Sequence, residues 1–404
     1  MTQLSFDPEW QTYLAIGKIN PNKLSRPTRP FNELVISFLS EFSRRIFQYT
    51  DLRSSPDLAA LGFWCRRANL LEMAKSWDFS KNVYGVGLVL HIPPANVPLN
   101  FVYSLAIGLL SGNGNVLRLP SELSNEGQIV VTEIQSILTD PEFGQLEEYI
   151  CCVKFDRDEK FLRFLSLTSD ARIIWGGDQA VSYIKSLPSK PRTVDISFAN
   201  RTSMALLNCK AVLGASDDAL KVLARNFYSD AFTFNQNACS SPKLVVWLDN
   251  DDMDNAKERF WGAVKNIVDE RYRLEPIHSM DRFVEICLVA SGGIKVSAID
   301  NPLSPITRIV LEDATQWHEL TQLRFGVFIE ASIKETQEIH DLTNSEVQTI
   351  GYFGFAKELL LEVFSSGQSP IPDRVVPIGQ ALNFTTVWDG YDLIRSLTRT
   401  QIIL

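Results

Sequence analysis

Three short stretches combine residue types that could do chemistry. The first is Asn235-Gln236-Asn237-Ala238-Cys239-Ser240-Ser241-Pro242. It is small and polar, and it lies between an amphipathic run ending near Ala231 and an apolar, strand-like run from Lys243 to Leu248. A loop of this kind delivers one thiol at an element boundary. A thiol reacts as its thiolate, which needs a lowered pKa or a nearby base. A lone cysteine is more often a small core residue, but core cysteines sit in apolar periodic runs, whereas amides, hydroxyls and a proline flank Cys239. The second stretch is Pro94-Ala95-Asn96-Val97-Pro98. Two prolines restrict the backbone around Asn96, whose carboxamide is offered as a donor at the start of a helix; a plain N-cap is the alternative. The third is Trp175-Gly176-Gly177-Asp178. Glycines after a strand let the backbone approach a phosphate, with helix-start amides as donors. Asp178 as an ordinary cap is the alternative here too. The G-x-G-x-x-G fingerprint is absent, because Gly85 and Gly87 lie inside a strand rather than after it.

The elements that must position these stretches follow from the apolar period. Residues Met1–Arg29 read as irregular and Pro30–Phe79 as amphipathic helices. The period then changes. Strands are expected at Tyr84–Ile92, Asn115–Leu119, Ile150–Phe155 and Ala171–Trp175, with helices at Leu99–Ser111, Asn125–Leu138, Lys160–Leu167 and Gln179–Leu187. Short apolar strands alternating with amphipathic helices imply a parallel sheet covered on both faces, with ligands beyond the carboxyl ends of its strands. A second α/β block follows: strands at Arg192–Ala199, Ser203–Leu207 and Lys243–Leu248, helices at Asp217–Ala231, Asn250–Arg273 and Met280–Ala290, and further alternation from Gly326 to Phe364. The tail from Asp373 reads as a short strand, a turn and a terminal amphipathic helix. Hinges near Asn200 and Ser365 divide the chain into 1–200, 201–365 and 366–404.

Composition narrows the class. A chain of 404 residues with 45% hydrophobic content can build two sizeable cores. A net charge of -9 argues against a nucleic-acid protein, which presents a basic face. Of six cysteines, Cys65, Cys209 and Cys287 lie in apolar runs and read as core. Cys151 and Cys152 are neighbours on a strand and point to opposite faces. There is no C-x-x-C pair and histidine is scarce, so no metal site is expected. The pattern suits a reducing, cytoplasmic setting. Met1–Trp10 has no signal-peptide pattern. The most apolar stretch, Leu99–Leu110, falls short of the roughly 20 residues a membrane span needs. His91, inside a strand, reads as packed.

Taken together, these residues resemble the aldehyde dehydrogenase superfamily. More narrowly, they resemble the acyl-CoA reductases that include the fatty-acid reductase of bacterial luminescence. The resemblance rests on LHIPPANVPLNFVYSLAIGLLSGNGNVLRLPS (Leu90–Ser121), WGGDQAV (Trp175–Val181), NQNACSSPKLV (Asn235–Val245) and DRVVPIGQALNFTTVWDGYDLIRSLTR (Asp373–Arg399). Cys239 follows Asn96 by 143 residues, the difference of their numbers, close to the interval in the superfamily. The resemblance implies an α/β, aldehyde dehydrogenase-like fold: a Rossmann-type parallel-sheet cofactor domain, an α/β catalytic domain, and a C-terminal tail that returns to the cofactor domain or an oligomer interface. It implies Cys239 as the nucleophile that carries the acyl group as a thioester. It implies Asn96, with the Cys239 backbone amide, as the oxyanion donors. Gly176, Gly177 and Asp178 would face the pyrophosphate and ribose of the cofactor. Arg118 stands where the superfamily has a strand-end lysine at the adenosine ribose. An arginine there, near Ser121, suits a 2′-phosphate and so NADPH. The implied activity is reduction of a fatty acyl thioester, acyl-CoA or acyl-protein, to the aldehyde, with an acyl-protein synthetase as partner and a homo-oligomeric state. Two positions depart from the oxidising enzymes. Asp195 stands near their general-base glutamate, one methylene shorter, and Leu323 replaces a glutamate that holds the nicotinamide ribose. Hydrolytic aldehyde oxidation, or a non-catalytic scaffold on the same fold, are the alternatives.

Overall fold

A computed structural model describes residues 6–17, 26–49, 52, 55–79, 81–94, 97–249, 252–320, 322–365 and 370–403. The chain divides into two units, one formed by 1–199 with 384–404 and the other by 200–383.

The first unit is built on strands β1 (Leu14–Ile16), β2 (Val83–Gly85), β3 (Leu88–Ile92), β4 (Gly114–Arg118), β5 (Ile150–Val153), β6 (Ala171–Trp175) and β7 (Val194–Phe198). All but β2 form one sheet in the order β1-β5-β4-β3-β6-β7, parallel except for β1. Its helices are α1 (Glu33–Ile46), α2 (Pro56–Trp64), α3 (Arg67–Lys75), α4 (Asn100–Leu110), α5 (Asn125–Leu138), α6 (Glu159–Thr168) and α7 (Asp178–Ser186). Strand alternation sends successive side chains to opposite faces. Val89, Leu117 and Cys152 therefore join the core under α1 to α5, while Leu90, Val116 and Cys151 join the core under α6 and α7. Each fully buried leucine or valine stabilises the unit by about 1.5–3 kcal/mol. Helix ends follow their caps: Asn32, Ser124 and Asp158 each accept from a first-turn backbone N–H.

The second unit holds β8 (Thr202–Asn208), β9 (Pro242–Leu248), β10 (Val296–Asp300), β11 (Thr307–Leu311), β12 (Val327–Ile333), β13 (Val347–Phe353) and β14 (Arg374–Pro377). They order as β10-β11-β12-β9-β8-β13-β14, parallel except for the edge strand β10. Helices α8 (Cys209–Gly214), α9 (Asp217–Phe232) and α10 (Met253–Arg271) cover one face; α11 (Pro276–Ser291) and α12 (Lys357–Ser365) cover the other.

Several expectations change. The irregular N-terminus contains a short 3-10 helix, Pro8–Tyr13, and β1, which pairs with β5. Elements of six and three residues carry too little periodicity to be seen in sequence. The stretch after Ser365 does not leave the second unit: β14 pairs with β13, and only from Phe384 does the chain join the first. The expected terminal helix is a single turn, Leu393–Ser396, after which Thr398–Thr400 pairs antiparallel with β2. Cys287 is exposed rather than core, because α11 buries Arg282, Ile286 and Val289 and turns Met280, Val284 and Leu288 outward. Among the described residues no helix is long and apolar enough to cross a membrane.

Candidate functional site

In the second unit, the Cys239 loop joins α9 to β9. It stands at the amino ends of β8, β9, β12 and β13, not at the carboxyl edge that open α/β sheets ordinarily use. The loop starts with two left-handed residues, Asn235 (φ 52°) and Gln236 (φ 62°). Asparagine tolerates that region, but glutamine there costs about 1–3 kcal/mol unless its surroundings hold it. Gln236 is held. Its buried amide donates to Pro242 O (2.9 Å) and Val327 O (3.0 Å) and accepts from Gly326 N–H (3.0 Å), while Phe325 N–H donates to Asn235 O (3.2 Å). Lys243 closes the clasp from below, donating to Gln236 O and to Leu323 O.

Cys239 is held at two atoms. Its carbonyl accepts from Ser203 Oγ (2.8 Å), and its Sγ accepts from Gln348 Nε2 (3.3 Å). It is half-buried, whereas Cys65, Cys151, Cys152 and Cys209 are buried. Burial pushes the thiols of those four up, so they stay protonated. Lys243 is the buried lysine of the site. Burial, with Arg324 adding to it, pushes its ammonium down to about 7, against the opposing pull of Glu285 and Cys239. Arg324 and Glu285 pair at 2.6 Å.

In the first unit, β3 lies between β4 and β6. The connections leave β3 toward β4 and return to β6 on its other side, so the switch point falls between the ends of β3 and β6. Those ends are Ile92, leading into Pro93-Pro94, and Trp175, leading into Gly176-Gly177. Gly176 N–H donates to Phe198 O (3.1 Å), and Trp175 stacks on Phe198 at 3.7 Å. Gly177 is the N-cap of α7, and residues from Gly177 to Ala180, Asp178 included, are exposed at the helix start. Arg118 ends β4 on the same carboxyl edge. Its guanidinium lies over the Phe155 ring at 4.7 Å and donates to Asp156 O at 3.3 Å. Ser121 is exposed just beyond it. Asn96 lies outside the described residues.

The remaining candidates are structural. His91 is fully buried, with Nδ1 at 2.8 Å from Ser104 Oγ and Nε2 at 2.9 Å from Asn115 Oδ1. Burial lowers its pKa to about 4, although the Asn115 bond opposes this; it is a neutral, packed imidazole. Asp195 is committed to Arg172, which reaches both of its oxygens (2.6 and 2.5 Å). Leu323 is buried and contributes its carbonyl to Lys243. Ser203, Lys243 and Gln348 had no sequence-level role. The one available signal was a lysine opening an otherwise apolar buried strand.

Comparisons with known proteins bear on the family and the fold. A family model described as acyl-CoA reductase (LuxC) matches residues 65–282, more than half of the chain. Comparison with curated protein sequences returned no match. Solved structures that are similar include methylmalonate-semialdehyde dehydrogenase (DddC) from Oceanimonas doudoroffii, at 13% identity and a TM-score of 0.67, covering 96% of this chain and 88% of that one. Lactaldehyde dehydrogenase from Escherichia coli is similar at 14% identity and a TM-score of 0.65, covering 98% and 88%. A NAD-dependent benzaldehyde dehydrogenase from Corynebacterium glutamicum is similar at 15% identity and a TM-score of 0.62, covering 97% and 86%. The fold is that of the aldehyde dehydrogenases.

Proposed function

The chain belongs to the acyl-CoA reductase (LuxC) family, and we propose that it reduces a fatty acyl thioester, acyl-CoA or acyl-protein, to the fatty aldehyde with NADPH through a thioester on Cys239. The protein is an oxidoreductase acting on acyl or aldehyde groups. The observation that carries this reading is the setting of Cys239, half-buried with an amide donor on its sulfur and within electrostatic reach of the buried Lys243, while Cys65, Cys151, Cys152 and Cys209 are sealed in apolar core.

In this reading the Cys239 thiolate attacks the acyl carbonyl. Asn96 and the Cys239 backbone amide hold the oxyanion; a single such donor is worth about 10²–10³ in rate. The donor thiol leaves, and the acyl group stays on Cys239. Bound NADPH supplies the hydride that brings this thioester to the aldehyde level. Collapse of the hemithioacetal on sulfur frees the aldehyde and Cys239. The first unit suits a phosphate-bearing dinucleotide: an exposed helix start at Gly177-Asp178 sits on the same sheet edge as the half-buried Arg118 guanidinium near Ser121. Hydrolytic oxidation is disfavoured, since Asp195 is tied to Arg172 and Leu323 brings no carboxylate. The reading extends to a first unit that holds cofactor, a second that holds the nucleophile, a cytoplasmic location, a homo-oligomer, and an acyl-protein synthetase that feeds it.

The test is reduced-nicotinamide absorbance with a panel of acyl-CoAs, NADPH against NADH, on wild type and Cys239→Ala. Thioester-dependent NADPH loss that disappears in Cys239→Ala is the expected result. No turnover and no acylation of Cys239 with any thioester would overturn the reading.

A further inference from the structure

Two β-bulges flank Ser203. On the β9 side, Ser203 pairs with Pro242 and Met204 with Leu244, so Lys243 is the extra residue. On the β13 side, Thr202 pairs with Val347 and Ser203 with Thr349, so Gln348 is the extra residue. A bulge re-aims the side chain it inserts, and bulges concentrate beside active sites. Lys243 is thereby turned under the Cys239 loop, onto Gln236 O and Leu323 O. Gln348, fully buried, is turned onto the sulfur itself, with Nε2 at 3.3 Å from Cys239 Sγ.

The orientation of that amide is set by its neighbours. Thr349 Oγ1 donates to Gln348 Oε1 (3.4 Å), which leaves the nitrogen end directed at sulfur. Thr349 N–H donates to Ser203 Oγ (3.1 Å), and Ser203 Oγ donates to Cys239 O (2.8 Å). Adjacent strands therefore hold the cysteine at its carbonyl and at its sulfur. A thiol is a weak acceptor and a thiolate a strong one. A donor fixed on sulfur thus favours the ionised form over the neutral one.

We propose that Gln348 is a positioning residue for the nucleophile: its side-chain amide donates to Cys239 Sγ, orients the sulfur and stabilises the thiolate. This rests on the reading of Cys239 as the nucleophile. Gln348 lies beyond the matched family segment and far from Cys239 in sequence. Among the described residues, Lys243 interacts electrostatically with Cys239, and Arg324 and Glu285 act on Lys243. None of these three is altered by the variants below, so they form a common background.

The experiment is the pH–rate profile of Cys239 alkylation by iodoacetamide on the full chain, read by peptide mass spectrometry, for wild type, Gln348→Met and Gln348→Glu. Gln348→Met keeps the length and removes the donor. It moves the midpoint up by about one pH unit, or about tenfold slower alkylation below the midpoint. Gln348→Glu keeps the shape, places a carboxylate against the sulfur and moves the midpoint further. Cys287, exposed on α11, is labelled in the same sample as the reference profile, and the buried Cys65, Cys151, Cys152 and Cys209 stay unlabelled, which a general loosening of the fold would not allow. An unmoved Cys239 midpoint in both variants overturns the proposal. The parent reading fails separately, if Cys239→Ala retains thioester reduction.

Discussion

Arg172 grips both carboxylate oxygens of Asp195, Nε on Oδ1 at 2.6 Å and Nη2 on Oδ2 at 2.5 Å. Its third nitrogen donates to Ser166 Oγ and to the carbonyls of Ile184 and Leu187. The guanidinium is 2% exposed and the carboxylate 21%. Removing one partner of a buried pair costs about 3–5 kcal/mol; water at Asp195 and the remaining acceptor of an asparagine bring this to about 2–4 kcal/mol for Asp195→Asn. Urea unfolding should show that loss, while thioester reduction per folded molecule stays near wild type. Intact stability with lost activity would instead make Asp195 a catalytic group.

Lys243 gives a pH signature. Its folded pKa, lowered chiefly by burial to about 7, lies below the ordinary lysine value of 10.5. Between those values the unfolded chain holds a proton that the folded chain has released. Stability therefore rises with pH across this window, by up to about 1.4 kcal/mol per unit. Below about pH 7 the penalty is fully present. Lys243→Met removes the titrating group, so denaturation measured at pH 7 and pH 9 should show a smaller rise than wild type. Parallel curves would mean that Lys243 stays charged in the folded protein.

Gly326 ties the Cys239 loop to β12 through its N–H on Gln236 Oε1. Its φ is 82°, and an added Cβ would meet Pro305 O at 2.2 Å. Gly326→Ala forces that backbone apart and costs about 1–3 kcal/mol from the left-handed conformation alone. Melting temperature and acylation rate of Cys239 should fall together, because the displaced N–H releases Gln236. An unchanged acylation rate at reduced stability would separate the loop from this anchor.

Arg118 tests the cofactor assignment. Its half-buried guanidinium is offered as the partner of a 2′-phosphate. A charge-assisted hydrogen bond is worth about 1.5–3 kcal/mol, so Arg118→Gln should raise the KM for NADPH by about tenfold or more. The KM for NADH should stay within about twofold. Equal losses with both cofactors would assign Arg118 to the shared part of the dinucleotide, or to packing against Phe155.

What sequence determined here is local. Period and punctuation identified β3 through β9 and most of the helices, because burial on one face or two leaves a repeating apolar pattern. The polar run around Cys239 and the Gly176-Gly177 turn were legible for the same reason, as breaks in such a pattern. Short or exposed pieces escaped: β1 has three residues, and β10 has none buried. Periodicity also misplaced Cys287, since an apolar helix pattern does not say which side finds a partner. Only the tertiary structure decided pairings between distant segments. Strand order brought the ends of β3 and β6 together at the switch point. Register inserted Lys243 and Gln348 as bulges on either side of Ser203, and so brought a buried amide to a sulfur 109 residues away in the chain. It also spent Asp195 on Arg172, a role its position near a family glutamate concealed. The physical reason is the same in each case. A residue's own neighbours in sequence set its conformation and which face it buries, but hydrogen-bond partners and charge neighbours are set by strands that meet only when the sheet assembles.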